Sequence, residues 1–332
     1  MTSGAGTAGD GGRLAPGMSR VVVATAFGGP EVLSVVEQPT GSPGPGEVLL
    51  DVRAAGINPA DWKGYAGAFG TDPAALPLRL GYEAAGVVAA VGPDAHGPAG
   101  PIAVGDEVIG YRLQGAYASS LVVPAFALVP KPATLDWAEA AGLMLTGATA
   151  VHALTAVDAG AGDTVLVHGA AGGVGQMLTQ LAVAGGARVI GTAGSAGAET
   201  VRRMGGEPVL YGDGLAERVR ALAPEGVTAA VDAVGTDEAL DVSLELVADR
   251  QRIVTVANFA RGGQAGVRVL GNGPGADPGT EVRNAARLRL TALVETGRLE
   301  VVVARTFPLE DVAAAHREGM AGHSHGKLVL VP

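Results

Sequence analysis

From Arg20 onward the chain alternates short apolar runs with glycine- and proline-rich turns. The runs include Val21-Val22-Val23, Val48-Leu49-Leu50-Asp51-Val52, Gly86-Val87-Val88-Ala89-Ala90-Val91 and Leu121-Val122-Val123. Short runs rich in β-branched residues and bounded by turn formers predict strands, so the stretch to Pro132 reads as a small, mostly β unit. From Trp137 the texture changes to helical stretches alternating with runs at 164–167, 188–191, 229–232 and 252–256 that lack a polar face. Such strands belong to a parallel sheet covered by helices on both sides. The last stretch predicts helices over 281–296 and 309–320 and a closing strand over 327–331. Spacing alone leaves open whether these extend the α/β sheet or return to the first unit. The Gly-rich segment 262–279 reads as a loop around one short strand at 267–270.

Bulk properties narrow this picture. A chain of 332 residues is long for one core and suited to two. Hydrophobic residues at 48% against 17% charged supply enough apolar surface to order most of it. Residues 1–17 are almost all small, with no apolar stretch of the signal-peptide kind, and predict a disordered lead-in. No apolar run approaches the roughly 18 residues of a bilayer span. A net charge of -10 disfavours nucleic acid, whose binding relies on clustered Lys and Arg. The absence of cysteine excludes disulfides, thiolate metal ligands and thiol catalysis. A cytoplasmic protein acting on a small molecule is expected.

The chemistry is carried by the turn Ala170-Ala171-Gly172-Gly173-Val174-Gly175, between a predicted strand and a predicted helix. It matches the dinucleotide-binding fingerprint with Ala170 in place of the first Gly. Gly172 lets the backbone approach a pyrophosphate, Gly175 lets the helix pack on the strand, and the helix N-terminus offers free N–H groups to the anion. The next predicted strand ends near Ala193, 21 residues after Gly172, where an NAD enzyme places an acid on the ribose hydroxyls. A small uncharged residue there leaves room for a 2′-phosphate and favours NADPH over NADH. Ser195 can donate a hydrogen bond to it. Arg202 and Arg203 either add charge or form a solvated helix face.

Four strings occur in order: Gly56-Ile57-Asn58-Pro59-Ala60-Asp61, Gly81-Tyr82-Glu83-Ala84-Ala85-Gly86-Val87-Val88, Val104-Gly105-Asp106-Glu107-Val108, and the glycine turn preceded by His168-Gly169. Together with the ending Gly326-Lys327-Leu328-Val329-Leu330 they resemble the medium-chain dehydrogenase/reductase superfamily, and within it the quinone oxidoreductase-like, zeta-crystallin-like branch. The resemblance runs from about Arg20 to Pro332. It implies an α/β protein with a GroES-like, mostly β catalytic domain from both chain ends (18–140 and 280–332). A Rossmann domain with a doubly wound parallel sheet (141–279) is inserted between them, and the active-site cleft lies where the two meet. Zinc-dependent relatives hold their catalytic metal at positions that align with Asn58, Tyr82 and Leu145, none of which is a good zinc ligand. His323-Ser324-His325 is the one close histidine pair and has no carboxylate at ligand spacing.

A protein without zinc lacks the device that stabilises an alkoxide, whereas reduction of a quinone or an activated double bond needs only hydride, hydrogen-bond donors and a proton. The resemblance therefore implies an NADPH-dependent reductase of quinones or α,β-unsaturated carbonyls. Asn58 either donates to the substrate oxygen or is a turn residue before Pro59, and Tyr82 is either a donor or a wall. Tyr65 is a substitute for the tyrosine donor of related enoyl reductase modules, whose aligned position is Phe69. Asp61 and Glu83 read as structural anchors. Thr149, Tyr211 and Asn258 match cofactor-facing positions, Val234 and Lys327 join that set, and the lysine that often meets the 2′-phosphate falls on Ala198. A homodimer joined at the strand 267–270 is expected. A biosynthetic tailoring enoyl reductase and a non-catalytic, crystallin-like NADPH binder remain as alternatives.

Overall fold

Strand pairing in the computed structural model, which describes residues 14–322 and 324–332, divides the chain between two main sheets. The expected lead-in falls mostly outside the described residues, and so does His323. The first main sheet has seven strands and is largely antiparallel, in the order Leu128–Pro130, Glu107–Tyr111, Glu83–Val91, Glu47–Ile57, Lys327–Val331 and Val303–Pro308, with Ser120–Pro124 also paired to Glu47–Ile57. The closing strand sets Leu328 opposite Ile57 and Leu330 opposite Ala55. The chain end therefore returns to the first unit, the alternative that spacing left undecided.

The second main sheet is parallel throughout, in the order Glu207–Leu210, Arg188–Ala193, Thr164–His168, Ala229–Asp232, Ile253–Thr255 and Arg268–Val269. Its central strand carries Val165, Leu166 and Val167 with no exposed surface, as a strand covered on both faces must. Strand order reverses on either side of Thr164–His168, and in open α/β sheets such a switch point forms a crevice at the strand ends. The sheet is the helix-covered parallel sheet that the pattern predicts, and its strand order is that of the Rossmann domain the resemblance implies.

The helix Trp137–Ala156 joins the two sheets. Asp136 accepts from the Glu139 amide at 2.8 Å and Glu139 accepts from the Asp136 amide at 2.9 Å, a reciprocal cap that fixes the helix start. The helix runs unbroken through position 140, packing against strands of the first sheet and against the helices Gly173–Ala184 and Thr280–Glu295. Small residues permit that approach. A Cβ at Gly147 would lie 2.9 Å from Leu290 Cδ1, and one at Gly142 would lie 3.0 Å from Lys327 Cγ. One apolar core consequently spans both sheets, from Ala54, Ala85 and Ile109 to Val165 and Val231.

Two expectations are corrected. The segment 262–279 is not a loop around one strand: a helix, Phe259–Ala265, enters it, and the strand shortens to Arg268–Val269. Gly262 lies so close to Thr255 that a Cβ would sit 2.6 Å from its Cγ2, so this glycine allows helix packing. The predicted helix 309–320 divides into a 3-10 turn, Leu309–Asp311, and the helix Val312–Ala321. Among the described residues no helix is long and apolar enough to cross a membrane.

Candidate active site

The glycine turn follows the central parallel strand. Gly169 adopts the left-handed conformation (φ 72°), so the tight bend falls one residue before Ala170, whose amide donates to Thr192 O at 3.0 Å. That placement explains how alanine is tolerated at the first fingerprint position. A Cβ at Gly175 would lie 2.1 Å from Gly169 O and 2.6 Å from Ala170 Cα, so only glycine fits there. At Gly172, the N-cap of Gly173–Ala184, the nearest such contact is 3.4 Å and the face is open. Among the described residues the amides of Gly173, Val174 and Gly175 find no acceptor in the protein. These N–H groups and the positive end of the helix dipole together form an anion site.

Around the turn stand the ends of neighbouring strands. Ala193 is buried, Ser195 is exposed in the turn Ser195–Gly197, and the exposed Tyr211 brings its hydroxyl within 3.2 Å of a Cβ position on Gly194. Val234, also exposed, lies 3.2 Å from the corresponding position on Gly169. His325 Nε2 lies 3.6 Å from that of Gly197.

Beside the turn opens a cleft of about 320 Å³. Asn58, Phe69, Tyr82, Tyr111 and Leu113 line it from the first unit, Leu145 and Thr149 from the long helix, and Val174, Ala257, Phe259 and Leu270 from the parallel-sheet side. The Tyr82 hydroxyl has no protein partner among the described residues, since only the backbone carbonyl of Tyr82 is bonded. Burial, with Asp61 nearby, raises the Tyr82 phenol above its ordinary value, so it stays a donor at neutral pH. Lys63, Arg112 and Arg283 also line the cleft, and among the described residues no Asp or Glu does.

Beneath it lies a buried polar network. Glu83, with no exposed surface, accepts from Lys327 Nζ at 2.9 Å, Asn58 Nδ2 at 3.0 Å and the Leu145 amide at 2.7 Å. Asp61 accepts from the Asn58 amide and the Tyr117 hydroxyl, both at 2.8 Å. Burial pushes the Asp61 carboxyl up to about 7 against those two donors. Asp61 holds the N-terminal end of the helix Pro59–Tyr65, and Glu83 ties Asn58 and the closing strand to the middle of the long helix under the cleft.

Comparison with known proteins follows the same division. Residues 44–133 match the alcohol dehydrogenase GroES-like domain and residues 204–330 the domain described as zinc-binding dehydrogenase. The chain is 34% identical to the quinone oxidoreductase of Pseudomonas aeruginosa over 95% of its own length and 100% of the relative's. It is 34% identical to a 2-haloacrylate reductase from a Burkholderia species, over 92% and 96% of the two chains. The solved Escherichia coli quinone oxidoreductase in complex with NADPH superposes with a TM-score of 0.82 at 29% identity, covering 95% of this chain and 100% of that one.

The chain belongs to the zinc-independent, quinone oxidoreductase-like branch of the medium-chain dehydrogenase/reductase superfamily.

It is an NAD(P)-dependent oxidoreductase acting on a small molecule. Among the residues expected at the site of this oxidoreductase, Asn58, Tyr82, Thr149 and Val174 meet at the cleft. Ala170, Gly172, Gly173, Gly175, Ala193, Ser195, Tyr211 and Val234 meet around the turn. Leu145 shares the cleft with Asn58 and Tyr82. Among the described residues no group of three or more His, Asp or Glu is arranged to hold a metal ion.

Several expected roles are corrected by geometry. Asn58 lines the cleft, but its amide donors are engaged by Gly56 O at 3.2 Å and Glu83, leaving none for a substrate. Lys327 Nζ is held by Ile57 O, Asn58 Oδ1 and Glu83, so its three donors are occupied within the protein, while its Cδ lies 3.3 Å from a Cβ position on Gly173 of the turn. Tyr65 has no exposed surface and bonds His316 Nδ1 at 2.9 Å inside the core of the first unit. Asn258 caps Phe259–Ala265 and directs its amide towards Gly235 O at 3.3 Å, while its neighbours Ala257 and Phe259 reach the cleft. Arg202 pairs with Glu199 and Arg203 with Glu300 on exposed surface.

The sequence reading missed Lys63, Arg112 and Arg283. Arg112 adopts a left-handed conformation (φ 61°), uncommon for a side-chain-bearing residue. Arg283 is bonded to Thr149 and His152, which stand three residues apart on one face of the long helix. That spacing was a readable signal. The arrival of Arg283 from 131 residues away was not.

Proposed function

We propose that this oxidoreductase is NADPH-dependent, works without zinc, and reduces quinones or α,β-unsaturated carbonyl compounds by direct hydride transfer. The observation that carries the reading is the unpartnered Tyr82 phenol, in a largely apolar cleft that begins at Val174 of the glycine turn. The open face of Gly172 and the unpaired amides of Gly173 to Gly175 fit a pyrophosphate. Ala193 offers no carboxylate to repel a 2′-phosphate, and Ser195, Tyr211 and His325 stand near enough to donate to one.

When bound, the dinucleotide supplies the hydride. On an enone a C–H bond forms at the β-carbon as the C=C π bond breaks, its electron pair passes to the carbonyl oxygen as an enolate, and solvent then protonates the α-carbon; a quinone takes the hydride and a solvent proton to become the hydroquinone. Tyr82 donates to the carbonyl oxygen on which negative charge grows. Phe69, Phe259 and Leu145 give the cleft apolar walls beside Tyr82. Zinc has no suitable donor set at the aligned positions, where an engaged amide (Asn58), a phenol (Tyr82) and an alkyl chain (Leu145) stand.

The reading extends to a catalytic domain of 18–140 with 280–332, a dinucleotide domain of 141–279, and a cytoplasmic homodimer paired at the edge strand Arg268–Val269. Size measurement in solution tests the dimer. Following NADPH absorbance with a panel of quinones and enones, before and after chelator dialysis, tests the activity. Turnover insensitive to the chelator is expected. Tight NADPH binding without consumption by any acceptor would overturn the reading.

A further inference from the structure

The cleft carries more positive charge than a neutral quinone or enone requires. Lys63, Arg112 and Arg283 line it without an Asp or Glu among the described residues, in a chain of net charge -10. Among the described residues none of the three takes part in an ion pair. Arg287, one helical turn beyond Arg283 and 7% exposed, donates to Phe126 O at 2.8 Å and to Asn284 O at 3.2 Å, so it too lacks a carboxylate partner.

Arg283 is the most firmly positioned of these cations. Its Nε donates to His152 Nδ1 at 3.2 Å and its Nη1 to Thr149 Oγ1 at 3.2 Å. With Nδ1 accepting, His152 is the neutral tautomer whose Nε2–H donates to Asp277 Oδ2 at 3.3 Å. Asp277 also accepts from the Gly279 amide at 2.8 Å. Gly279 lies against the imidazole so closely that a Cβ would be 2.2 Å from Cε1, which locks the ring in place. The relay engages Nε and Nη1 and leaves Nη2 without a protein acceptor among the described residues. A planar, oriented guanidinium with Nη2 free at the cleft wall and no ion-pair partner among the described residues suits a carboxylate.

We propose that the substrate is an α,β-unsaturated carbonyl compound bearing a carboxylate, and that Arg283 binds that carboxylate while the aromatic walls take the conjugated body. The inference rests on the reductase reading above and narrows its substrate class.

The test compares β-acetylacrylate with its methyl ester, which share the reacting double bond and differ in the charge. The native protein is expected to favour the acid by about tenfold or more in kcat/KM, expressed mainly in KM, in keeping with a hydrogen-bonded charge pair. In Arg283→Gln the ratio should fall towards one, and Arg283→Lys should restore part of it. Equal values for acid and ester in the native protein would overturn the carboxylate site and leave the reductase reading standing. An unchanged ratio in Arg283→Gln with weakened NADPH binding would reassign the arginine to the cofactor and overturn the inference. If neither compound is reduced, calorimetric titration of the NADPH-loaded protein with levulinate separates the two ideas. Binding lost in Arg283→Gln would uphold the anion site while the reductase reading fell, and no binding would overturn both.

Discussion

Replacing Glu83 by glutamine removes one charge from a network that ties the closing strand and the long helix to the cleft floor. The native carboxylate is fully buried and accepts from Lys327, Asn58 and the Leu145 amide at 2.9, 3.0 and 2.7 Å. Glutamine has one acceptor oxygen, so its amide nitrogen must face either the Leu145 N–H or the Lys327 ammonium. Either arrangement sets donor against donor, and Lys327, only 4% exposed, loses its counter-charge. Removing one partner of a buried pair costs about 3–5 kcal/mol. At roughly 1.4 °C per kcal/mol for a chain of 332 residues, the midpoint should fall by about 4–7 °C. Adding Lys327→Met deletes the second charge and should recover a large part of the loss, because an apolar pair of similar volume is often as stable as a buried ion pair. Thermal and urea unfolding of both single variants and the double variant complete the cycle. A Glu83→Gln loss below about 1 kcal/mol, or a double variant no more stable than Glu83→Gln alone, would refute the reasoning.

Three further outcomes follow from named contacts. Gly175→Ala forces a Cβ to within 2.1 Å of Gly169 O and should lower both the midpoint and NADPH affinity, whereas Gly172→Ala, with its nearest atom at 3.4 Å, should keep the midpoint and weaken NADPH alone; fluorescence titration beside calorimetry distinguishes them. Tyr82→Phe should lower kcat by about tenfold or more with little change in stability, and an unchanged kcat would make Tyr82 a wall. Burial holds the His316 imidazole down at about 4 against an ordinary 6.5, so the unfolded chain takes up a proton first as pH falls. Its contribution is therefore complete above about 6.5 and lost as pH drops towards about 4, by up to about 3 kcal/mol. Denaturant unfolding at pH 7 and pH 5 should show a shallower decline in His316→Gln, the remaining decline including His168, likewise held down at about 4 by burial.

The fold was legible wherever local pattern and tertiary environment agreed. The run Leu328-Val329-Leu330 is apolar and buried because its strand lies inside the first sheet, and the helix predicted over 281–296 forms at Thr280–Glu295 because its apolar side meets the long helix. The glycine turn was legible because the constraint on Gly175 is local. The segment 262–279 misled because glycine serves loops and close helix packing alike, and only the contact with Thr255 distinguishes them. Side-chain roles were legible only up to hydrogen-bond competition. The positions of Asn58 and Lys327 match a site, yet each is engaged by Glu83, and no spacing reveals which donor takes which acceptor. Tyr65 lies seventeen residues before Tyr82 but faces His316 across the core, 251 positions away.

The central claim is that a hydride passes within this cleft to a conjugated substrate, and isotope transfer tests it most directly. Native protein is incubated with an enone and NADPH carrying deuterium at the reactive nicotinamide carbon, each epimer in turn, and the product is read by NMR. The account predicts that one epimer delivers a single deuterium to the β-carbon while the α-carbon takes its hydrogen from water. A product without carbon-bound deuterium from either epimer, or deuterium at the carbonyl carbon, would contradict it.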